Sequence, residues 1–341
     1  MRLFSAVSLA VLALAATPAL AEGPIAPFDP AERTVRRGVA EARVADPDLA
    51  GLAPVTPLAP ALRGSIRRVD LPPGEKLVAL TFDLCETANE VAGYDGAIFA
   101  ELRRRAVPAT IFVGGHWAAT HRARFAEIAA DPLFEVANHT WTHANLRKRE
   151  PAELTRQILA PEAAFRDAGH PARSTLFRFP FGACDDPSLA AVAEAGMAAI
   201  QWDVSTGDPS PATSAAAIVS GTLAAVRPGS IVLAHANGRG FHTAEALPRL
   251  LDTLAARGYR LVTVGELLKR GRPVITATCY DSHPGDTERW DLFGRPAAKP
   301  ATAKPIATQP APATAPKPPA AAAGPTAPKA APLTAPTEIR P

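Results

Sequence analysis

From residue 76 to residue 269 the chain alternates between two kinds of segment, and that alternation limits the possible folds more than anything else in it. Residues 76–82, 109–113, 133–137, 175–178, 198–202, 230–234 and 259–263 are short apolar runs that read as buried strands. Residues 96–105, 120–130, 151–168, 186–195, 214–225, 243–256 and 264–269 carry helical periodicity. The helices stop at Val107-Pro108, Asp131-Pro132, Gly169 and Gly196, and Asp186-Pro187 reads as a cap and first turn. Seven β/α units in about 200 residues predict an α/β fold, a parallel sheet curled into a distorted (β/α) barrel. An open doubly wound sheet is the alternative.

The flanks are different material. Arg2, an apolar run over residues 3–16 and Thr17-Pro18-Ala19-Leu20-Ala21 describe a secretory signal peptide over residues 1–21. No other run approaches the length of a membrane helix, so an exported protein, periplasmic or secreted, is expected. Residues 22–63 are rich in Pro and Ala, residues 64–271 hold the single globular domain, and residues 272–295 form an extension. Residues 296–341 are mostly Ala and Pro with no aromatic residue, the composition of a disordered tail. With 36 basic against 33 acidic residues the net charge is only +3, which argues against a dedicated nucleic-acid binder.

Reactive residues gather at strand ends. Asp83 closes the first run, His139 and His143 follow the third, Arg178 closes the fourth, Trp202 and Asp203 the fifth, and His235 follows the sixth. In a parallel barrel these ends share one rim, where active sites are built. The four-residue spacing of His139 and His143 lets two imidazoles meet one divalent ion, whereas an isolated pair of this kind is more often two surface histidines. Convergence with the other rim residues is what favours the ion.

Thr81-Phe82-Asp83, the His139/His143 pair, Arg178-Phe179-Pro180-Phe181-Gly182, Trp202 to Pro209 and Ile231-Val232-Leu233-Ala234-His235 together resemble the polysaccharide deacetylase family, the carbohydrate esterases of family four. The resemblance implies an exported metal-dependent hydrolase that removes N-acetyl groups from an amino-sugar polymer or oligomer such as peptidoglycan or chitin. It implies Asp83 as general base, His235 as the acid for the departing amine, Arg178 as the residue that positions the base and Asp208 as the carboxylate that steadies His235. It further implies His139 and His143 as ligands of a divalent metal, zinc first with cobalt or nickel possible. Phe181 stands where the family has Tyr and would offer its backbone N–H to the oxyanion; Leu233 would line the acetyl pocket. Trp117, Trp141 and Trp202 are candidate sugar platforms, although a tryptophan near a rim packs as often as it stacks.

One position breaks the pattern. The family's third metal ligand is an aspartate where this chain has Leu84. Three readings compete: Glu86 reaches back as the third ligand, with Glu90 and Asp95 less suited; the ion sits on two His and waters; or the chain is a glycan-binding pseudoenzyme. Hydrolysis of another C–N amide is a further enzyme alternative. Cys85 and Cys184 both follow rim motifs, so a Cys85–Cys184 disulfide is expected in an oxidising compartment, with a Cys85 thiolate ligand as the alternative and Cys279 left over.

Overall fold

The computed structural model describes residues 27–292. The signal-peptide reading of residues 1–21 and the tail from residue 296 lie outside them. β1 (Arg36–Arg37), β2 (Ser65–Asp70), β3 (Leu77–Leu84) and β4 (Glu90–Val91) precede α1 (Gly96–Arg104). β5 (Ala109–Val113), α2 (Gly115–Thr120), α3 (Arg122–Ala130), β6 (Phe134–Asn138) and α4 (Pro151–Asp167) follow. Next come β7 (Leu176–Phe177), α5 (Asp186–Glu194), β8 (Ala198–Ile200), β9 (Val204–Ser205) and α6 (Ala215–Ala225). β10 (Ile231–His235), α7 (Thr243–Ala256), β11 (Arg260–Val262), α8 (Val264–Leu268) and β12 (Arg272–Thr276) complete the order.

The parallel strands run β2-β8-β7-β6-β5-β3-β10-β9, with β12 antiparallel beside β2 and β11 parallel to the start of β3. An antiparallel bridge from Arg68 to Ser230 brings β2 back to the start of β10, so the sheet curls into the expected barrel-like form. Helices cover its outside. Strand period two sorts β3 between two cores. Val78, Leu80, Phe82 and Leu84 pack outward with Ile98, Phe99 and Leu250 of α1 and α7. Leu77 and Ala79 point inward with Phe112, Ile200 and Ile231, and Asp83 continues that inner face at the rim.

Local departures from the sequence reading have local causes. The helix expected over residues 120–130 is α3, starting at Arg122; α2, which the sequence reading did not place, precedes it and ends where His121 leaves helical geometry at φ −118°, ψ 42°. The cap of α5 is Asp185, whose side chain accepts from Ser188 N while the Ser188 hydroxyl accepts from Asp185 N. Neither β2 nor β12 shows as an apolar run, because Arg67, Arg68 and Pro273 interrupt them. Arg67 is nonetheless buried: it stacks on Tyr280 at 3.7 Å and donates to the Asp281 carbonyl at 2.7 Å. That contact lays residues 279–291 against the rim.

The N-terminal residues 27–63 also pack on the domain. β1 pairs with β4, Arg33 bridges Asp95 at 3.0 Å, and Asp46 accepts from Trp141 Nε1 at 2.8 Å. No helix among the described residues is long and apolar enough to cross a membrane.

Candidate active site

Parallel pairing of β3 with β10 sets Asp83 directly opposite His235 in register. Neighbouring strands lie about 4.8 Å apart, so a carboxylate and an imidazole share one short stretch of rim. Asp83 is buried, with one oxygen hydrogen-bonded and the other facing the histidine pair. Arg178 Nη1 donates to Oδ1 at 2.7 Å, and His139 Nε2 lies 3.3 Å from Oδ2. Burial pushes the Asp83 carboxyl up, but the Arg178 guanidinium, with the His235 imidazolium behind it, outweighs that and holds it below the ordinary carboxylate value.

Arg178 is fully buried, with its guanidinium 3.8 Å from the Phe112 ring centre. Nε donates to the Ile200 carbonyl at 3.3 Å and Nη2 to that of Gln201 at 3.4 Å. The side chain is thus held by an aromatic face and two backbone carbonyls, and its charge is presented only to Asp83.

His235 is held from the other side. Asp208 accepts from His235 Nδ1 at 2.9 Å and from His235 N at 2.7 Å, and Thr243 Oγ1 donates to Asp208 at 2.6 Å. Burial works against the imidazolium, yet the Asp208 carboxylate outweighs it and raises His235 above the ordinary imidazole value. Gly240 is required here: a Cβ would stand 2.8 Å from Asp208 Oδ2 and 2.2 Å from the His235 carbonyl.

The His139/His143 loop leaves β6 through strained backbone. Thr140, His143 and, facing them, Phe181 have φ of 67°, 53° and 61°, left-handed values that cost non-glycine residues about 1–2 kcal/mol each. Polar side chains hold the loop there. Asn138 Oδ1 accepts from Thr140 N at 3.0 Å, and Gln157 Oε1, on α4, accepts from Trp141 N at 3.1 Å and Thr142 N at 3.0 Å. Asn138 is itself fixed by Glu162 at 2.6 Å. Neither Gln157 nor Glu162 carries a motif signal; only a polar residue on the buried face of a helix hints at them.

His139 Nδ1 donates to the Arg178 carbonyl at 2.9 Å, which leaves Nε2 as the unprotonated nitrogen. That atom is buried without a hydrogen-bond partner; its 3.3 Å approach to Asp83 lacks hydrogen-bond geometry. Burial lowers both imidazoles, His143 well below the ordinary value, with His139 adding to the effect at His143. Two neutral imidazoles with an unpaired nitrogen fit a divalent ion of the zinc type. Among the described residues, one group offers three ligand atoms within 4.8 Å of one another: Cys85, His139 and His143.

Glu86, the expected third ligand, is not in that group. Its carboxylate is taken by His116 Nδ1 at 2.6 Å, Thr120 Oγ1 at 2.8 Å and Ala92 N at 2.8 Å, which tie the loop after β3 to α2. Glu90 is paired with Arg239 at 2.7 Å and Asp95 with Arg33 at 3.0 Å. The expected disulfide is also different: Cys184 bonds Cys279, whose Cα lies 5.3 Å away, and Cys85 is free and buried. The left-over Cys279 finds its partner because β12 pairs with β2 and returns the chain to the rim.

A cleft of about 640 Å³ opens over these groups, lined among others by Asp83, His143, Phe181, Trp202, Leu233 and His235. Trp202 donates to Asp281 at 3.1 Å. Of the other two candidate platforms, Trp117 donates to the Gly93 carbonyl and Trp141 to Asp46, and both are buried away from the cleft. Trp290, unmarked in the sequence, lines the cleft instead and stacks on Phe181 with ring centres 5.3 Å apart. Asp203 does not belong to the rim. Its carboxylate accepts from Ser230 Oγ and Ile231 N, at the opposite end of β10 from His235.

The polysaccharide deacetylase family profile matches residues 70–200. A chitooligosaccharide deacetylase of Bradyrhizobium sp. is 35% identical over 208 residues, covering 57% of this chain and 91% of the relative. A peptidoglycan-N-acetylglucosamine deacetylase of Bacillus cereus is 28% identical over 201 residues, covering 57% and 69%. Among solved structures, a family-four pseudoenzyme from Bacillus anthracis aligns with TM-score 0.54 and 27% identity over 62% of this chain and 70% of that one. A mutant of that pseudoenzyme with restored enzymatic activity aligns with TM-score 0.54 and 28% identity, over 62% and 73%.

Proposed function

This chain belongs to the polysaccharide deacetylase family of carbohydrate esterases, hydrolases of carbon–nitrogen bonds other than peptide bonds, and we propose that it is an exported, metal-dependent member that removes N-acetyl groups from an amino-sugar polymer or oligomer. The observation that carries the reading is the register of Asp83 and His235 beside the His139/His143 pair. Amide hydrolysis needs an activated water, a stabilised oxyanion and a proton for the departing nitrogen.

Asp83 is the general base: Arg178 keeps it ionised and aimed into the cleft. His235 is the acid, kept protonated by Asp208, and gives its proton to the leaving amine. His139 and His143 hold the divalent ion, which when bound lowers the pKa of a water and polarises the scissile carbonyl. The backbone N–H of Phe181 supports the oxyanion, Leu233 seats the acetyl methyl, and Trp202 offers its ring to the sugar. The chemistry is that of residues 64–271, and the leader over residues 1–21 delivers it to the periplasm or beyond.

The relatives named as chitooligosaccharide and peptidoglycan deacetylases make a β-linked N-acetylglucosamine chain the substrate to try. The test is acetate release from N-acetylglucosamine oligomers and from peptidoglycan, before and after chelation and after return of zinc or cobalt. Release that chelation stops and metal restores supports the reading. A metal-loaded protein that binds these glycans without releasing acetate would make it a pseudoenzyme, the reading that Leu84 in place of an acidic ligand favours.

A further inference from the structure

We propose that Cys85, as a thiolate, is the third protein ligand of the divalent ion, completing a His2Cys site with His139 and His143 in place of the carboxylate that Leu84 displaces. The inference rests on the proposed metal site at the histidine pair and specifies its third arm.

Strand alternation makes the replacement possible. Leu84 points outward into the helix-packed core with Phe82 and Val113, so its position offers nothing to the rim. The next residue returns to the inner side. Cys85 lines the cleft with Asp83, and its sulfur lies within 4.8 Å of a nitrogen of each histidine. Two nitrogens and a sulfur around one tetrahedral zinc-type ion stand about 3.4–3.6 Å apart, so atoms that lie within 4.8 Å of one another close on an ion by drawing together by at most about 1.4 Å.

Three further observations point at the same centre. His139 Nε2 is buried, unprotonated and without a hydrogen-bond partner, with the ring fixed by the Arg178 carbonyl. Cys85 is free because Cys184 is committed to Cys279, and its burial shields the thiol. Asn237 Nδ2 donates both to Cys85 Sγ at 3.3 Å and to the Cys85 carbonyl at 2.8 Å. Burial, with the Asp83 carboxylate beside it, pushes the Cys85 thiol well up, so the proton stays on sulfur until an ion takes its place. The Asn237 donor fixes the direction of the sulfur, the outer support that ligating groups commonly have. Glu86 cannot compete, since its oxygens are occupied by His116, Thr120 and Ala92.

On binding, the ion takes the sulfur lone pair and the thiol proton leaves to solvent, so one proton is released per ion. A thiolate with two imidazoles selects zinc or cobalt(II) over magnesium or calcium.

The test uses the whole protein with cobalt(II) as probe and no added thiol. The expected result is a near-ultraviolet sulfur-to-cobalt charge-transfer band rising to one equivalent, with Cys85 protected from iodoacetamide. Cys85→Ala loses the band and at least about tenfold in cobalt affinity, while Cys85→Asp binds cobalt without the band. Cobalt bound to the unaltered protein with no such band, or with Cys85 still alkylated, overturns the proposal without recourse to any variant. Failure to bind cobalt overturns it as well. A band without acetate release would refute the deacetylase reading and leave the coordination standing; acetate release without a band would do the reverse.

Discussion

Arg178 Nη1 donates to Asp83 Oδ1 across 2.7 Å, in a place where the guanidinium is fully buried and the carboxylate nearly so. Removing one partner of a buried ion pair strands the other. Arg178→Met should therefore cost about 3–5 kcal/mol, readable in chemical denaturation. Arg178→Lys, which keeps the charge but not the forked geometry, should cost less.

The pH dependence of activity follows from Asp208. His235 is raised by that carboxylate, so the alkaline limb should lie above the ordinary imidazole value. In Asp208→Asn the limb should move down by about 1–3 pH units. The same coupling sets a stability window. A group raised on folding stabilises fully below its unfolded value of about 6.5 and loses that contribution as pH rises through its folded value. The stability gap between the unaltered protein and Asp208→Asn should thus be widest in mild acid and narrow in base, as melting curves across pH would show.

Cys184–Cys279 closes a separation of 95 residues and holds the segment bearing Trp290 against Phe181. Reduction or Cys279→Ser should cost about 2–5 kcal/mol of stability. Trp290→Ala, which keeps the disulfide, should raise KM for a glycan oligomer with little change in kcat. A loss in kcat alone would mean that the ring does not hold sugar.

Gln157 touches neither ion nor substrate, yet its side-chain oxygen accepts two backbone N–H groups of the His139/His143 loop. Gln157→Leu leaves both donors unpaired. The expected cost is about 1–3 kcal/mol per donor, with metal affinity down by about 10–100-fold, measured by competition with a chelating dye. Unchanged affinity in a folded variant would show that the loop is held without it.

How much of this was legible in the sequence depends on the range over which each signal acts. Apolar period and Pro/Gly punctuation placed the main strands and helices of the domain, because burial of one face writes itself into neighbouring residues. The rim pairs Asp83–Arg178 and His235–Asp208 came from motifs, and the structure brings each pair together. What escaped was set by long-range packing. Cys184 meets Cys279 only because β12 pairs with β2, and β2 is masked by Arg67 and Arg68. Glu86 had the right charge and nearly the right place, but His116 and Thr120 on α2 claim it, a competition visible only in three dimensions. Trp290 and Gln157 sit 109 and 14 residues from the motif residues Phe181 and His143, and no local pattern marks them.

The most direct test of the account is acetate release by Asp83→Asn, measured with its metal content and circular dichroism against the unaltered protein. Asn matches the carboxylate in shape and cannot take a proton from water. The account predicts a folded variant that still binds metal at His139 and His143 and whose rate falls by about 10²–10⁴-fold. A folded, metal-bearing variant that releases acetate at the original rate would contradict it, and Asp83 would not be the base.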